Sequence, residues 1–286
     1  MLRLLENEGK THGKLKSRAR KGIPDSVRGY AWPVLAGAER VLPREYVSKQ
    51  EWMRDLLAQE LSRQQLICIF NDVPRTLPSH IYFAESHGTG QKALFAVLKC
   101  LALWHPSTGY VQGMNSLCGT LMTYTTPEDA FAITVSLFAN YGLHDTFLPG
   151  LPGLEKNFYI MLSLLKKYMP RLFQKLIDVD FTPQMYASKW FMTAFSDYFP
   201  INIVVRILDI YLMEGRKILF RIILAIMKLC EKELMEATDL EIPLTLIKQF
   251  PQKCDVEVLI NTAHKYTFSK TLVDQYEAEY RNRPNQ

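Results

Sequence analysis

Apolar residues recur along this chain at the three- and four-residue spacing of an α-helix, and this periodicity restricts its fold most strongly. Residues 91–104 are apolar nearly all round, which predicts a helix buried at the centre of a core. No segment shows the convincing alternation of apolar and polar residues that is typical of a half-buried strand. The sequence therefore predicts an all-α protein with little or no strand.

Several further helices follow from the same pattern. Thr126 offers a hydroxyl cap, Pro127 suits the first position of a helix, and two acids follow in the first turn. Other apolar stripes predict helices at residues 154–165 and 203–211, one long helix from Ile218 to about Glu236, and two shorter helices at 256–265 and 270–282.

The length of 286 residues suggests about two domains. We expect two packed helical subdomains, one over residues 23–180 and the other over 181–286, divided near Asp180–Pro183. A basic N-terminal segment, residues 1–22, precedes them.

The basic segment carries the whole net charge of +5, because residues 1–22 hold seven lysines and arginines against two glutamates. Such an arm can contact anionic lipid or nucleic acid. Neither a recognition motif nor a continued basic stripe supports a nucleic-acid partner. We expect a solvated lead-in segment, with peripheral association with a membrane as the alternative.

Other functional classes lack their sequence signatures. The glycine-containing string HGTGQK at residues 87–92 lacks the spacing and the Ser/Thr of a phosphate-binding loop. The five cysteines form neither a CxxC pair nor a short Cys/His cluster, so we expect reduced thiols and no metal site. The most apolar run, residues 218–230, is interrupted by Arg221 and Lys228 and is too short to span a bilayer. A soluble cytoplasmic protein is the expectation.

Two segments break strong helical patterns, residues 68–80 with two prolines and residues 105–115 with one proline and two glycines. Loops on a rigid scaffold are where function tends to lie. In the first, Pro74 should end or kink the preceding helix and place Arg75 on the loop that leaves it. Asp72, three residues before Arg75, could hold the guanidinium ready for a partner.

The second segment places Gln112 just before an apolar helical pattern, and so near a helix N-terminus that favours an anionic neighbour. A carboxamide both donates to and accepts from water, so Gln112 could align a nucleophilic water. Gly113 would let the backbone approach closely, and Tyr110 would brace the loop.

Three motifs stand in order along the chain: RGYAW at residues 28–32, IFNDVPR at 69–75 and YVQ at 110–112. They resemble the RxxxW, IxxDxxR and YxQ motifs of the TBC family, whose members activate GTP hydrolysis by Rab GTPases. The resemblance runs from about residue 21 to at least 236. Leu208 stands where the family usually has tryptophan, a difference that concerns local packing and not catalysis.

The resemblance implies a GTPase-activating protein that inserts Arg75 and Gln112 into the nucleotide site of a GTP-bound Rab. Gln112 would stand in for the glutamine of the GTPase itself. The supporting residues would be Ile69, Asp72, Tyr110 and Gly113. The chain would need no cofactor of its own, because the partner carries Mg²⁺ and GTP. A role in vesicle trafficking, with recruitment to endomembranes through the partner, would follow.

Each residue also has an ordinary interpretation. Arg75 alone is typical of a surface salt bridge and Gln112 of a solvated loop, and only their joint context favours catalysis. Trp32 is most simply a core aromatic, and Arg28 a structural partner or an interface contact. A non-catalytic Rab-binding scaffold of the same fold is the alternative function, against which the intact pair of Arg75 and Gln112 argues.

Overall fold

The computed structural model of the protein describes residues 8–283, and these residues contain helices and no strand. The prediction of an all-α fold is confirmed. Contacts divide the chain into two compact units, Met1–Pro149 and Gly150–Gln286. Within residues 8–283, no helix has the length and apolar character that crossing a membrane requires.

Unit 1 consists of seven described α-helices joined by turns and short 3-10 segments. The α-helices are α1 (Glu8–Lys21), α2 (Asp25–Ala36), α3 (Lys49–Leu57), α4 (Arg63–Asp72), α5 (Thr89–Trp104), α6 (Met114–Met122) and α7 (Pro127–Tyr141). The 3-10 segments are Ala38–Val41, Val73–Arg75 and His144–Thr146.

Helix α7 forms the centre of unit 1, because every residue from Ala130 to Phe138 is buried. It packs against α2, α3, α5 and α6. Its start agrees with the sequence prediction: the Thr126 hydroxyl accepts from the backbone N–H of Asp129 at 3.2 Å, and Pro127 opens the helix. The predicted helix at residues 91–104 is α5, which also packs against α3, α4 and α6.

The basic N-terminal segment differs from the solvated lead-in that its sequence suggests. Residues 8–21 form helix α1, and two of its side chains, Leu15 and Ala19, are almost completely buried. Their spacing of four residues puts them on one face of the helix, so burial of that face decides the structure of a stretch rich in lysine and arginine. Residues 1–7 of the segment lie outside the described residues.

Unit 2 consists of nine described α-helices and one 3-10 segment, Pro183–Met185. The α-helices are α8 (Pro152–Tyr168), α9 (Pro170–Asp178), α10 (Ser188–Met192), α11 (Ile201–Glu214), α12 (Lys217–Leu229), α13 (Glu231–Met235), α14 (Glu241–Lys253), α15 (Val256–Lys265) and α16 (Lys270–Arg281).

The single long helix predicted from Ile218 to about Glu236 is two helices in the structure, because the chain turns at Cys230 between α12 and α13. This stretch contains no glycine or proline that would break a helix locally. Helix α13 instead packs against α9 and α14 and buries Leu234 completely. Tertiary packing therefore overrides the helical propensity of the sequence.

The boundary between the units also differs from the predicted division near Asp180. Helices α8 and α9 precede that point but pack within unit 2, α8 against α12 and α16, and α9 against α13. The boundary lies between Pro149 and Gly150. A proline and glycine cluster at residues 149–153, typical of a domain boundary, marks this position in the sequence.

A buried ionic network holds α8 and α16 together inside unit 2. Glu277 of α16 pairs with Lys156 of α8 at 3.4 Å, with Arg281 at 2.5 Å and with Arg216. Burial by itself would raise the pKa of the Glu277 carboxyl, but the hydrogen bond and charge of Arg216, together with Lys156, hold it below its ordinary value. The carboxyl is therefore ionised at neutral pH.

We expect Glu277→Gln to lower the free energy of unfolding at pH 7 by about 1–3 kcal/mol, because the cations lose their counter-charge. A carboxyl whose folded pKa is depressed contributes stability above its unfolded pKa, and that stability is lost as pH falls through the folded value. The difference between wild type and variant should therefore narrow below about pH 4.3, the ordinary pKa of a glutamate. Urea unfolding at several pH values measures it.

The matched control is Glu279→Gln, since Glu279 is an exposed acid on the same helix. It should change the free energy of unfolding by less than about 0.5 kcal/mol. A difference for Glu277→Gln that does not change with pH would contradict the charge-based explanation.

Candidate functional site

The first part of the site is the end of helix α4. Pro74 has no N–H to continue the helix, and α4 ends at Asp72, where a 3-10 turn, Val73–Arg75, takes over. Ile69 is completely buried and fixes the last turn of α4 in the core. The Arg75 side chain leaves this turn with 53% of its surface exposed.

The Asp72 carboxylate lies at the centre of the site and is almost completely buried. Its Oδ1 accepts from Arg75 Nε at 2.9 Å and from Arg75 Nη2 at 2.5 Å. Its Oδ2 accepts from the hydroxyl of Tyr110. The contact between Asp72 and Arg75 that the sequence predicts is therefore present, and the same carboxylate also reaches the second loop.

Tyr110 holds the second loop against α4. Burial, and then the hydrogen bond to Asp72, raises the pKa of the Tyr110 phenol, which keeps its proton available for donation to the carboxylate. The backbone N–H of Tyr110 donates to Gln65 Oε1 at 3.1 Å. Two contacts to α4, one from the side chain and one from the backbone, thus fix this residue.

A second chain of hydrogen bonds joins the two loops through Asn115 and Thr76, which the sequence pattern did not single out. Asn115 Nδ2 donates to Thr76 Oγ1 at 2.8 Å, and the Thr76 hydroxyl donates to the backbone oxygen of Asp72 at 2.8 Å. Asn115 Oδ1 accepts from the backbone N–H of Gly113 at 3.0 Å. In the sequence, the one indication of this role was that Asn115 ends the string GYVQGMN, residues 109–115, which contains Gln112.

The beginning of the second loop is held separately. The Thr108 hydroxyl lies 2.9 Å from His144 Nε2 and 3.1 Å from His105 Nδ1, and the two imidazole rings are 4.2 Å apart. Burial, and then the nearby His105, lowers the pKa of His144. His144 thus contacts the loop that carries Gln112.

Gln112 lies in the turn before helix α6. Its side chain is exposed and makes no hydrogen bond to any other residue in the described range 8–283. Gly113 follows with φ of 109° and is the N-cap of α6, so the N-terminus of that helix lies next to Gln112, as predicted. The carboxamide is thus presented to solvent on a fixed backbone.

Glycine is favoured at the start of this turn by its backbone conformation, and the end of the Gln65 side chain packs against it. Gly109 has φ of 63°, a left-handed conformation that side chains rarely adopt. A Cβ added at Gly109 would lie 2.1 Å from Gln65 Nε2. Gln65 is the residue that receives the Tyr110 N–H, so the absence of a side chain at Gly109 lets the loop approach α4.

A protein-family model described as the Rab-GTPase-TBC domain matches residues 25–235, which include both loops. The chain belongs to this family. The predicted membership of the TBC family is therefore confirmed.

Two relatives are similar to this TBC domain over almost its whole length. The Rab GTPase-activating protein tbc-11 of Caenorhabditis elegans is 32% identical over 272 residues, which are 94% of this chain and 29% of that protein. The human Ecotropic viral integration site 5 protein homolog is 32% identical over 274 residues, which are 95% of this chain and 33% of that protein. The chain thus spans about a third of the length of these relatives.

Among solved structures, the Chlamydomonas flagellar RabGAP TBC domain superposes on this TBC domain with a TM-score of 0.73. The two sequences are 26% identical, and the alignment covers 90% of this chain and 84% of that chain.

Arg28 and Trp32, the remaining residues singled out in the sequence, lie on helix α2 of the TBC domain. Trp32 is completely buried and packs edge-on against Tyr124, with ring centroids 5.3 Å apart. Arg28 is almost completely buried, pairs with Asp25 and lies 5.1 Å from the centroid of the Tyr124 ring. These contacts are those of packing residues.

The HGTGQK string also has a structural explanation in the TBC domain. A Cβ added at Gly90 would lie 1.8 Å from the backbone oxygen of Tyr82. This glycine therefore permits close contact between the start of α5 and the preceding turn.

We expect Gly109→Ala to destabilise unit 1 by about 1–3 kcal/mol, because alanine is strained at this φ and its Cβ collides with Gln65. In the double variant Gly109→Ala/Gln65→Ala, the loss of unfolding free energy should be smaller than the sum of the losses of the two single variants, because the collision is absent there. Urea unfolding measures these free energies.

The matched control is Gly37→Ala, because Gly37 has a similar φ of 68° but its added Cβ would make only an ordinary contact, at 3.5 Å from Arg40. This variant should lose about 1 kcal/mol of unfolding free energy, from backbone strain alone. Strict additivity in the Gly109 double variant would contradict a collision with Gln65.

Proposed function

We propose that this TBC domain accelerates GTP hydrolysis by a Rab-type small GTPase in its GTP-bound state, by inserting Arg75 and Gln112 into the nucleotide site of the partner. The observation that carries this proposal is the direct connection of the two loops through the Asp72 carboxylate. One exposed cation and one exposed carboxamide are thereby supported by a single rigid network. The names of the relatives as Rab GTPase-activating proteins and RabGAP domains are consistent with this chemistry.

Arg75 suits the stabilisation of phosphoryl transfer. Hydrolysis of GTP spreads negative charge over the γ-phosphoryl oxygens, and a planar, always charged guanidinium can bridge two of them. Asp72 holds the Nε edge of Arg75 and limits its rotamers before docking, so less entropy is lost on binding. An arginine supplied in trans contributes on the order of 10³ to 10⁵ in rate, or roughly 4 to 7 kcal/mol of the barrier.

Gln112 suits the positioning of the attacking water. Its carboxamide can accept a hydrogen bond from the water and donate another to a phosphoryl oxygen. The adjacent N-terminus of α6 adds a positive partial charge that favours the anionic phosphate group. Gln112 would thereby replace a glutamine of the GTPase.

In this proposal the chain contributes side chains only, and the partner brings Mg²⁺ and GTP as the substrate complex. The domain needs no cofactor of its own and turns over no substrate independently. Recruitment to endomembranes, and a role in vesicle trafficking, would come through the Rab that binds it.

We expect Arg75→Ala to lower the single-turnover hydrolysis rate on every responsive Rab by roughly 10³-fold or more, and Gln112→Ala by roughly 10²-fold or more. The measurement is phosphate release across a panel of GTP-loaded Rabs. Arg63→Ala and Gln64→Ala, exposed residues on helix α4, are the matched controls and should retain the wild-type rate.

If both variants match wild type on every responsive Rab, the proposed roles of Arg75 and Gln112 are wrong. Tight binding to a GTP-bound Rab without faster hydrolysis would instead support the non-catalytic scaffold.

Tyr110 acts in this proposal as a positioning residue, because it touches Asp72 rather than the nucleotide. We expect Tyr110→Phe to lower the maximal hydrolysis rate about tenfold while leaving affinity for a Rab bound to a non-hydrolysable GTP analogue within about twofold. Loss of a hydrogen bond to a buried carboxylate should also cost about 1.5–3 kcal/mol of unfolding free energy.

The control is Tyr30→Phe, since Tyr30 is half-exposed on α2; it should change neither quantity. A Tyr110→Phe variant that weakens binding but keeps the maximal rate would show that Tyr110 belongs to the interface instead.

A further inference from the structure

Helix α4, which precedes Arg75 in the chain, exposes two large apolar side chains. Phe70 is 55% exposed and Ile67 is 50% exposed, and their spacing of three residues puts them on neighbouring positions of one helix face. Neither side chain contributes to the network around Asp72. Of the two, Phe70 is the aromatic residue and the nearer to Arg75 in sequence, and an exposed aromatic side chain in such a place is typical of a recognition surface.

Phe70 forms one wall of a surface pocket of about 350 Å³. The other walls come from Val73 and Pro74 of the 3-10 turn, from His87 in the turn before helix α5, and from three residues of α5, namely Gln91, Lys92 and Phe95. This size accommodates a large apolar side chain. Ile67 does not line the pocket, although it shares the exposed face of α4.

The walls of the pocket are held in place by hydrogen bonds and ring contacts. The backbone N–H of His87 donates to Gln91 Oε1 at 3.0 Å, and Gln91 Nε2 donates to the backbone oxygen of Phe83 at 2.9 Å. The His87 ring stacks on Phe70 with centroids 6.0 Å apart. A ligand would therefore enter a preformed site with little loss of conformational entropy.

The pocket and the Arg75 side chain share one structural element. Val73 and Pro74 line the pocket, and Arg75 is the next residue of the same 3-10 turn. A protein that receives Arg75 would therefore come close to the residues that line the pocket. This continuity favours the same partner, and not a separate ligand, as the source of the occupant.

The charge at the pocket restricts the occupant further. Among its described lining residues Lys92 is the one fixed cation, and none is a carboxylate. Lys92 is exposed in the first turn of α5. An apolar side chain with a carboxylate close to it therefore complements both the apolar walls and Lys92.

We infer that this pocket receives an apolar side chain, flanked by an acidic residue, from the surface of the GTPase that takes up Arg75, and that it contributes to the choice of GTPase. The inference rests on the proposed function. It assigns Phe70 and Lys92 to recognition, whereas Arg75 and Gln112 act on the phosphoryl group.

The test measures single-turnover hydrolysis as a function of domain concentration, with the Rab that wild type accelerates most. Phe70→Ala should raise the half-saturating domain concentration about tenfold or more and leave the maximal rate within twofold, since it removes a contact made equally before and during the reaction. Lys92→Glu should also raise the half-saturating concentration. Both residues are exposed, so neither substitution removes core packing.

Ile67→Ala is the matched control for Phe70, because it removes an equally exposed apolar side chain from the same helix face without opening the pocket. Lys248→Glu, at an exposed lysine of unit 2, controls for the change in net charge. Both should retain the wild-type half-saturating concentration. Circular dichroism and urea unfolding of Phe70→Ala exclude a loss of fold as the cause.

The occupant is identified from the partner side. Exposed apolar residues bordering the nucleotide of the Rab are replaced by alanine one at a time, and one of them should abolish the difference between wild type and Phe70→Ala. Replacing the acid beside it by lysine should restore the affinity of Lys92→Glu.

The outcomes separate the two proposals. If Phe70→Ala and Lys92→Glu both behave as wild type while Arg75→Ala loses the hydrolysis rate, the pocket is not a recognition site and the proposed function stands. If Ile67→Ala raises the half-saturating concentration as much as Phe70→Ala does, the proposed role of the pocket is also wrong. If wild type accelerates no Rab, or Arg75→Ala has no effect, the proposed function fails and the recognition role falls with it.

Discussion

The arrangement of the site depends on the hydrogen bonds that Arg75 and Tyr110 donate to the buried carboxylate of Asp72. A buried charge is costly unless hydrogen bonds satisfy both of its oxygens. One oxygen of Asp72 meets the guanidinium of Arg75 from its own chain segment, and the other meets Tyr110, which lies 38 residues from Asp72 in sequence. Satisfying this one group therefore fixes two loops at once.

The same two loops are tied again by Asn115 and Thr76, and this second connection involves the backbone oxygen of Asp72. Redundant contacts of this kind restrict the backbone on both sides of the exposed side chains. Gly109 and Gly113 supply the positive φ values that the approach requires. The rigidity lies in the supporting residues, so the groups presented to solvent need few contacts of their own.

One short turn connects the proposed recognition pocket with Arg75, the residue proposed to act on the phosphoryl group. Val73, Pro74 and Arg75 share a 3-10 segment, in which Val73 and Pro74 line the pocket and the next residue carries the cation. A partner that fills the pocket would bring its nucleotide towards Arg75 in a defined orientation. Under the proposed function, the chain would supply half of an active site, which would become complete only with a GTPase that carries Mg²⁺ and GTP.

Much of the helical architecture follows from local sequence. The all-α class, the start of α7 at Thr126 and Pro127, and the helix at residues 256–265 were predicted because periodicity and caps involve neighbours three or four positions apart. The contact between Asp72 and Arg75 was predictable for the same reason, as both lie on one turn of chain. The catalytic roles of Arg75 and Gln112 stay predictions.

Other features depend on distant packing, and the sequence did not reveal them. The turn at Cys230 has no local helix breaker, yet Leu234 after it is completely buried. Residues 8–21 are rich in lysine and arginine, yet they form a helix that buries Leu15 and Ala19. In both places, burial of apolar side chains outweighs the local sequence.

The sequence by itself thus determined the helical class, the family motifs and the position of Arg75 after a proline-ended helix, all of which are written within a few neighbouring residues. Only the tertiary structure decided that Tyr110 reaches Asp72, that Asn115 reaches Thr76, and that α4 and α5 enclose a pocket. The physical reason is that these contacts join residues far apart along the chain, and packing of α4, α6 and α7 around α5 creates them.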